Sequence, residues 1–216
     1  MSSVPLSAVC DYSEASTAVE GLTLSNFIST DNMMPKRGGI VDAVNLPPAV
    51  SCCKFVEDEI LISNIRPYFK KIWYATNGGG CSNDVLVFKT KNEKYYPKFV
   101  YYCLFQDLFF KHQMTGSKGS KMPRGDQDQI MTFQIPAFEK NYQKNIAEYL
   151  TLLGNASSEA DNLITETDLI EDDRSTVLET CRLEIRIDRK WQTVIAFDFV
   201  PENPNLVLLH LTDGIY

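Results

Sequence analysis

Histidine is almost absent from this chain, with two in 216 residues, and none of the six cysteines forms a C-x-x-C pair. The cysteines stand at 10, 52, 53, 81, 103 and 181, and the adjacent Cys52 and Cys53 cannot readily serve as a zinc knuckle. A structural metal site is therefore not expected. Free thiols of a reducing cytosol are the plain reading, with a disulfide framework as the alternative. Long apolar runs are also missing, since no window approaches the roughly 18 unbroken apolar residues of a membrane span. Residues 1–20 carry no basic flank followed by an apolar block, so no secretory signal is visible and a cytoplasmic location is expected.

The signatures of common catalysts are missing too. No G-x-x-x-x-G-K-[ST] phosphate loop occurs. Gly78-Gly79-Gly80 is not G-x-G-x-x-G, and its surroundings read as a hairpin. His112 lies among aromatics without a triad motif, where packing is the ordinary role. Asn45-Leu46-Pro47-Pro48 has the wrong order for the Asn-Pro-Pro-aromatic signature of amino-methyltransferases. No pair of acids is placed by a motif for general acid–base work. A non-catalytic module with no cofactor is the expectation.

What is present is an ordinary globular composition, 44% hydrophobic and 23% charged, in a chain long enough to bury a real core. The net charge of −7 hides a division. Residues 1–156 carry 16 bases against 15 acids, and residues 157–180 carry eight acids against Arg174 alone. Residues 65–124 carry 11 bases against three acids. A basic middle joined to an acidic segment fits a phosphate-facing surface, and fits a solvated lysine-rich face equally well.

The local patterns predict an α+β chain. Residues 22–24, 27–28, 59–63, 72–75, 85–88 and 130–135 read as strands, with 32–39 a loop rich in proline and glycine. Asn77-Gly78-Gly79-Gly80 between two of these strands reads as a hairpin turn. Over 95–110 the spacing of Phe99, Cys103, Phe105, Leu108 and Phe109 predicts one helical face. From residue 141 the period is helical, and Ile146, Leu150, Leu153, Ala160, Leu163 and Ile170 form a heptad-like stripe that continues toward Cys181. The stripe fits a helix packed on its own domain as well as one pairing with a partner. The reading divides the chain into a β-rich domain over 1–140, a helical spacer over 141–190 and a strand-like tail over 191–216.

Several blocks stand in a recognisable order. Asn26-Phe27-Ile28-Ser29-Thr30 precedes Asn32-Met33-Met34-Pro35 and Gly38-Gly39. Asp58-Glu59-Ile60-Leu61-Ile62-Ser63-Asn64-Ile65-Arg66-Pro67-Tyr68 comes next, then Gly79-Gly80-Cys81-Ser82-Asn83-Asp84-Val85. Gly119-Ser120-Lys121-Met122-Pro123-Arg124-Gly125, Ile135-Pro136, Gln143, Ile146-Ala147 and Leu150 complete the series. Over 26–150 the chain thus resembles the specificity subunits of bacterial type I restriction–modification systems. The resemblance implies a target recognition domain that reads one half of a split DNA sequence, followed by a coiled-coil-like spacer helix that pairs with a second copy or another half-subunit. It implies double-stranded DNA and a methylation subunit as partners, with the restriction subunit reached through the latter and no membrane involved.

On this reading Lys70 and Lys71 lie along the DNA backbone beside Tyr68, and Ser117, Lys118, Lys121 and Arg124 form a loop that approaches a groove. Arg124 has the guanidinium suited to guanine, and Asn64 or Asn77 an amide suited to adenine, with a turn the plainer role for Asn77. Arg66 before Pro67 fits a structural ion pair as well as a DNA contact. The rival is an interaction or regulatory protein that works through its acidic helix without reading DNA.

Overall fold

The computed structural model describes residues 3–91, 93–117, 122–161, 183–187, 190–199, 207–211 and 214–215. The chain forms two compact units, Met1–Asp168 and Leu169–Tyr216. The first unit contains β1 (Ser3–Pro5), β2 (Cys10–Tyr12), β3 (Ser16–Ala18), β4 (Phe27–Ile28), β5 (Ser51–Phe55), β6 (Ile60–Ser63), β7 (Ile72–Tyr74), β8 (Gly79–Cys81), β9 (Val85–Thr90) and β10 (Gln134–Pro136). Its helices are α1 (Pro97–Leu104), α2 (Asp107–Thr115), α3 (Gln127–Ile130) and α4 (Lys140–Asp161). The mixture of small sheets and few helices is α+β, as the sequence patterns predict.

Two four-stranded sheets build the centre. One is antiparallel throughout, in the order β2-β9-β6-β7; the other runs β3-β5-β8-β4 and closes with a parallel β4–β8 pair. Strand β6 is an unbroken Ile-Leu-Ile run, and all four of its residues are buried, as expected of a strand covered on both faces. Leu61, Val85 and Val87 from the first sheet share a core with Ile28, Phe55 and Cys81 from the second. Truncating a fully buried leucine such as Leu61 to alanine is worth about 2–5 kcal/mol.

Four local expectations are corrected. The triple glycine is not a turn joining its flanking strands: β7 and β9 lie on opposite sides of β6, and Gly79 and Gly80 belong to β8 in the other sheet. A Cβ on Gly79 would stand 2.0 Å from the Asn26 carbonyl oxygen, and one on Gly80 2.5 Å from the Cys52 sulfur. These glycines serve close approach of backbones, not a turn. The segment 95–110 forms two helices because Gln106 is extended (φ −74°, ψ 153°), which resets the phase and leaves Leu108 exposed. Ile130 closes a helix instead of opening a strand, because the Asp126 carboxylate caps that helix by accepting from the Asp128 and Gln129 amides. Residues 22–24 are not a strand.

Helix α4 begins where the period changes. Gln143, fully buried, accepts from the Tyr96 amide at 2.9 Å and donates to the Lys94 and Phe138 carbonyls, so it ties the base of α4 to the start of α1. The Tyr102 and Thr151 hydroxyls add a 3.0 Å bond between the same helices. Ile146 and Ala147 are buried. Ile146 is therefore used within its own unit and is not a free pairing residue, while Leu150 is half-buried. The backbone of Leu153 and Ala160 is helical, whereas Leu163, Ile170 and the acidic segment through Cys181 lie outside the described residues.

The second unit is an antiparallel meander of β11 (Leu183–Ile187), β12 (Lys190–Phe199), β13 (Val207–Leu211) and β14 (Gly214–Ile215). Strand therefore starts at Leu183, inside the stretch read as helical spacer. The alternation of Leu183, Ile185 and Ile187 with Glu184 and Arg186 has the strand period of two.

Gly79→Ala is expected to destabilise the first unit by about 3 kcal/mol or more, because a backbone oxygen must move. Gly78→Ala, whose nearest neighbour would be at an ordinary 3.4 Å, is expected to stay within about 1 kcal/mol of the parent. Denaturant unfolding of the two variants side by side measures the difference.

Candidate nucleic-acid interface

Strands β6 and β7 are consecutive and antiparallel, with Ile62 opposite Ile72. Residues 64–71 are thus the tip of a hairpin, closed at its base by the Ser63 amide bonding the Lys71 carbonyl at 3.1 Å. Pro67 opens a single 3-10 turn over Pro67–Phe69. Arg66 and Lys70 flank it in the left-handed conformation (φ 49° and 53°), which non-glycine residues seldom adopt.

Two distant segments fasten this tip. The Arg66 amide donates to the Pro123 carbonyl at 2.8 Å, the Gly125 amide to the Asn64 carbonyl at 3.3 Å, and Ile65 and Arg124 form an antiparallel bridge. On the other side the Lys36 and Arg37 amides donate to the Phe69 and Lys70 carbonyls at 2.8 and 2.9 Å. Lys36 and Arg37 are themselves left-handed. Four of the five left-handed non-glycine residues among the described residues therefore meet at one place. Strain concentrated in this way is a pointer to function.

The side chains divide by what they touch. Arg124 is well exposed at 58% and pairs with Asp84 at 2.9 Å. Lys70 pairs with Asp107 at 2.8 Å, and Arg37 reaches the other oxygen of the same carboxylate. Arg37 also donates through Nε to the Phe105 carbonyl and lies over the Phe105 and Phe110 rings. Lys71 donates to the Thr30 carbonyl at 2.6 Å, with its ammonium 5.7 Å from the centre of the Phe69 ring. Arg66 is half-buried, its Nε enclosed without a hydrogen-bond partner. Ser117 is half-buried just beyond α2, its amide bonded to the Met114 carbonyl. Lys118 and Lys121 lie outside the described residues.

Asn64 requires a correction. It is 8% exposed, and its Oδ1 faces the Nε2 of the fully buried Gln113 at 3.5 Å. The amide lies behind the surface, where it cannot read a base edge. Its position explains the neighbouring glycine: a Cβ on Gly125 would meet Asn64 Oδ1 and Gln113 Cγ, both at 2.9 Å. Asn64 and Gln113 thus seat the 122–125 segment that carries Arg124.

Sequence reasoning overlooked Lys36, Arg37, Asp84, Asp107 and Gln113. A basic pair between Pro35 and Gly38-Gly39 was the available signal for the first two. The acids and Gln113 had none, because only the fold brings them to the tip. The surface is cationic with two embedded carboxylates, and among the described residues no group of three or more metal-ligating side chains is assembled. Such a face can hold anions in fixed register.

Asp107 is partly buried, which opposes its ionisation. The hydrogen bonds and charges of Lys70 and Arg37 outweigh that and hold the carboxyl below its ordinary value of 3.8. Its lowered value makes Asp107 a stabilising group above about pH 4, and that contribution fades as pH falls through the folded value. Unfolding midpoints of the parent and Asp107→Asn from pH 7 down to pH 2 are expected to differ most above pH 4 and to converge in acid.

The family described as "Type I restriction modification DNA specificity domain" matches residues 43–166, more than half of the chain. No curated protein matches. Among solved structures, the fold is similar to the HsdS subunit from Thermoanaerobacter tengcongensis, with TM-score 0.59 and 19% identity over 75% of this chain and 44% of that one. A structure from a study of complex assembly and conformational transition in a type I R-M system gives TM-score 0.56 and 17% identity over 75% and 43%. The S subunit of a type I restriction–modification system from M. genitalium gives TM-score 0.52 and 15% identity over 75% and 41%. The chain spans less than half the length of each of these structures.

Proposed function

We propose that this chain, which belongs to the family of type I restriction–modification DNA specificity domains, recognises DNA through the β6–β7 hairpin tip and the two segments bound to it. Members of this family are non-catalytic recognition components, so methyl transfer and cleavage fall to other subunits. The observation that carries the reading is the main-chain pairing of 64–66 with 123–125, which joins the two basic stretches of the sequence into one surface.

In this reading Arg124 leads. Its guanidinium is exposed and oriented by Asp84, an arrangement suited to bidentate contact with guanine. Lys36 and Lys70 contact phosphates, and Lys118 and Lys121, near Arg124 in the sequence, add to the same positive charge. Arg37, Arg66 and Lys71 position the tip, and Asn64 supports it from behind. Each neutralised phosphate releases counterions and steepens the salt dependence of binding.

The larger assembly follows from the same premise. A single recognition domain reads a short half-site, and pairing through α4 with a second copy or another half-subunit gives a bipartite target. Because Ile146 is buried in its own unit, the pairing stripe starts beyond it, from the half-buried Leu150. Docking of a methylation subunit, and through it a restriction subunit, takes place in the cytoplasm.

Selection of bound sites from a random duplex pool, followed by salt titration, tests the reading. Arg124→Ala is expected to weaken an enriched site by about 1–3 kcal/mol and to relax preference at one position. Lys70→Ala is expected to weaken all duplexes alike and to reduce the salt slope by about one. A chain that enriches no sequence and shows no salt-dependent binding overturns the reading and favours action through the acidic segment.

A further inference from the structure

The hairpin tip carries something that phosphate binding does not require. Tyr68 and Phe69 sit at its apex 49% and 38% exposed, with ring centres 4.7 Å apart and planes inclined by 57°. Two large rings left in water are unfavourable unless they acquire a partner. Their backbone is also held rigidly. The Phe69 amide bonds the Arg66 carbonyl at 3.0 Å, and the Lys70 amide bonds the Pro67 carbonyl at 2.8 Å. The left-handed residues Arg66 and Lys70 close both ends of the turn, and Lys36 and Arg37 pin its last two carbonyls from outside. The fold therefore uses strained, over-determined backbone to keep two apolar rings outward.

The surroundings identify the partner. Lys70 and Lys71 follow the rings directly in sequence, and Lys36 and Arg37 are bonded to the same turn. The adjoining loops add exposed Met34 and Met122. A flat apolar element bordered by cations matches an unstacked nucleobase between phosphates. Apolar wedges of this kind act on DNA by entering a base step and partly unstacking it.

We propose that Tyr68 and Phe69 form a wedge that packs on unstacked bases, so that this surface recognises a locally opened or kinked duplex instead of undisturbed B-form DNA. The proposal rests on the DNA-binding reading above and deepens it. It makes the energetic cost of opening the duplex part of recognition, and that cost is smallest where pairing is already broken.

The test compares two mixed-sequence duplexes, identical except for a central mismatch, binding to the full chain across a range of salt. The parent is expected to bind the mismatched duplex roughly tenfold more tightly, with the same salt slope for both. Tyr68→Ala and Phe69→Ala, singly and together, are expected to abolish the preference while leaving the slope unchanged, and Tyr68→Phe is expected to keep it. Unfolding midpoints equal to the parent's show that the fold survives, and should the double variant not fold, the single variants decide. Equal affinity of the parent for both duplexes, or a preference that survives the alanine substitutions, overturns the wedge and leaves the DNA-binding reading intact. Absence of salt-dependent binding to either duplex removes that reading, and the wedge with it.

Discussion

The basic face depends on main-chain hydrogen bonds between segments far apart in sequence. The hairpin tip has too few bonds of its own to hold two non-glycine residues at positive φ. The Pro123 carbonyl and the Gly125 amide on one side, and the Lys36 and Arg37 amides on the other, supply the missing partners. Backbone bonds of this kind do not depend on the flexible ends of lysine and arginine side chains. Once the tip is seated, the cations inherit its geometry. This explains how a face rich in long side chains holds them in register without a large entropy cost on binding.

The embedded carboxylates have a matching role. Asp107 joins Arg37 to Lys70, and Asp84 holds Arg124. Exposed ion pairs add little stability, about 0–1 kcal/mol each. Their effect here lies in orientation and in restraint. A surface without them would attract any polyanion more strongly. With them, an incoming anion must compete for each cation, so a loosely matched ligand gains less than a well-matched one.

Much of the central sheet is legible in the sequence because the signal is local. The apolar runs at 60–62, 72–74 and 85–88 are strands in both readings, and Arg66-Pro67 marks the end of β6. Strand order is not local, and Gly78-Gly79-Gly80 shows why. Glycine serves a turn through positive φ and a tight sheet through its missing Cβ, and a sequence gives both uses the same letter. Neither Gly79 nor Gly80 has positive φ; each is required because Asn26 and Cys52 press against it. The same limit applies to the site. Clustered charge revealed Lys70 and Arg124, but Asn64 and Gln113 act from inside, and their burial depends on three-dimensional packing.

The base of α4 is fastened to the rest of the first unit by buried groups. Gln143 bonds the Tyr96 amide at the start of α1 while donating to two carbonyls, and Ile146 and Ala147 fill the contact below it. The helix therefore leaves the first unit from a fixed socket. On the proposed reading this rigidity suits a spacer, because a hinge at residues 140–147 would let two paired recognition surfaces drift relative to each other. Using Ile146 inside the unit takes one residue out of the apolar stripe read from the sequence. In exchange, the direction of the helix is set by a buried side chain with three hydrogen bonds, which neither salt nor a charged ligand can easily displace.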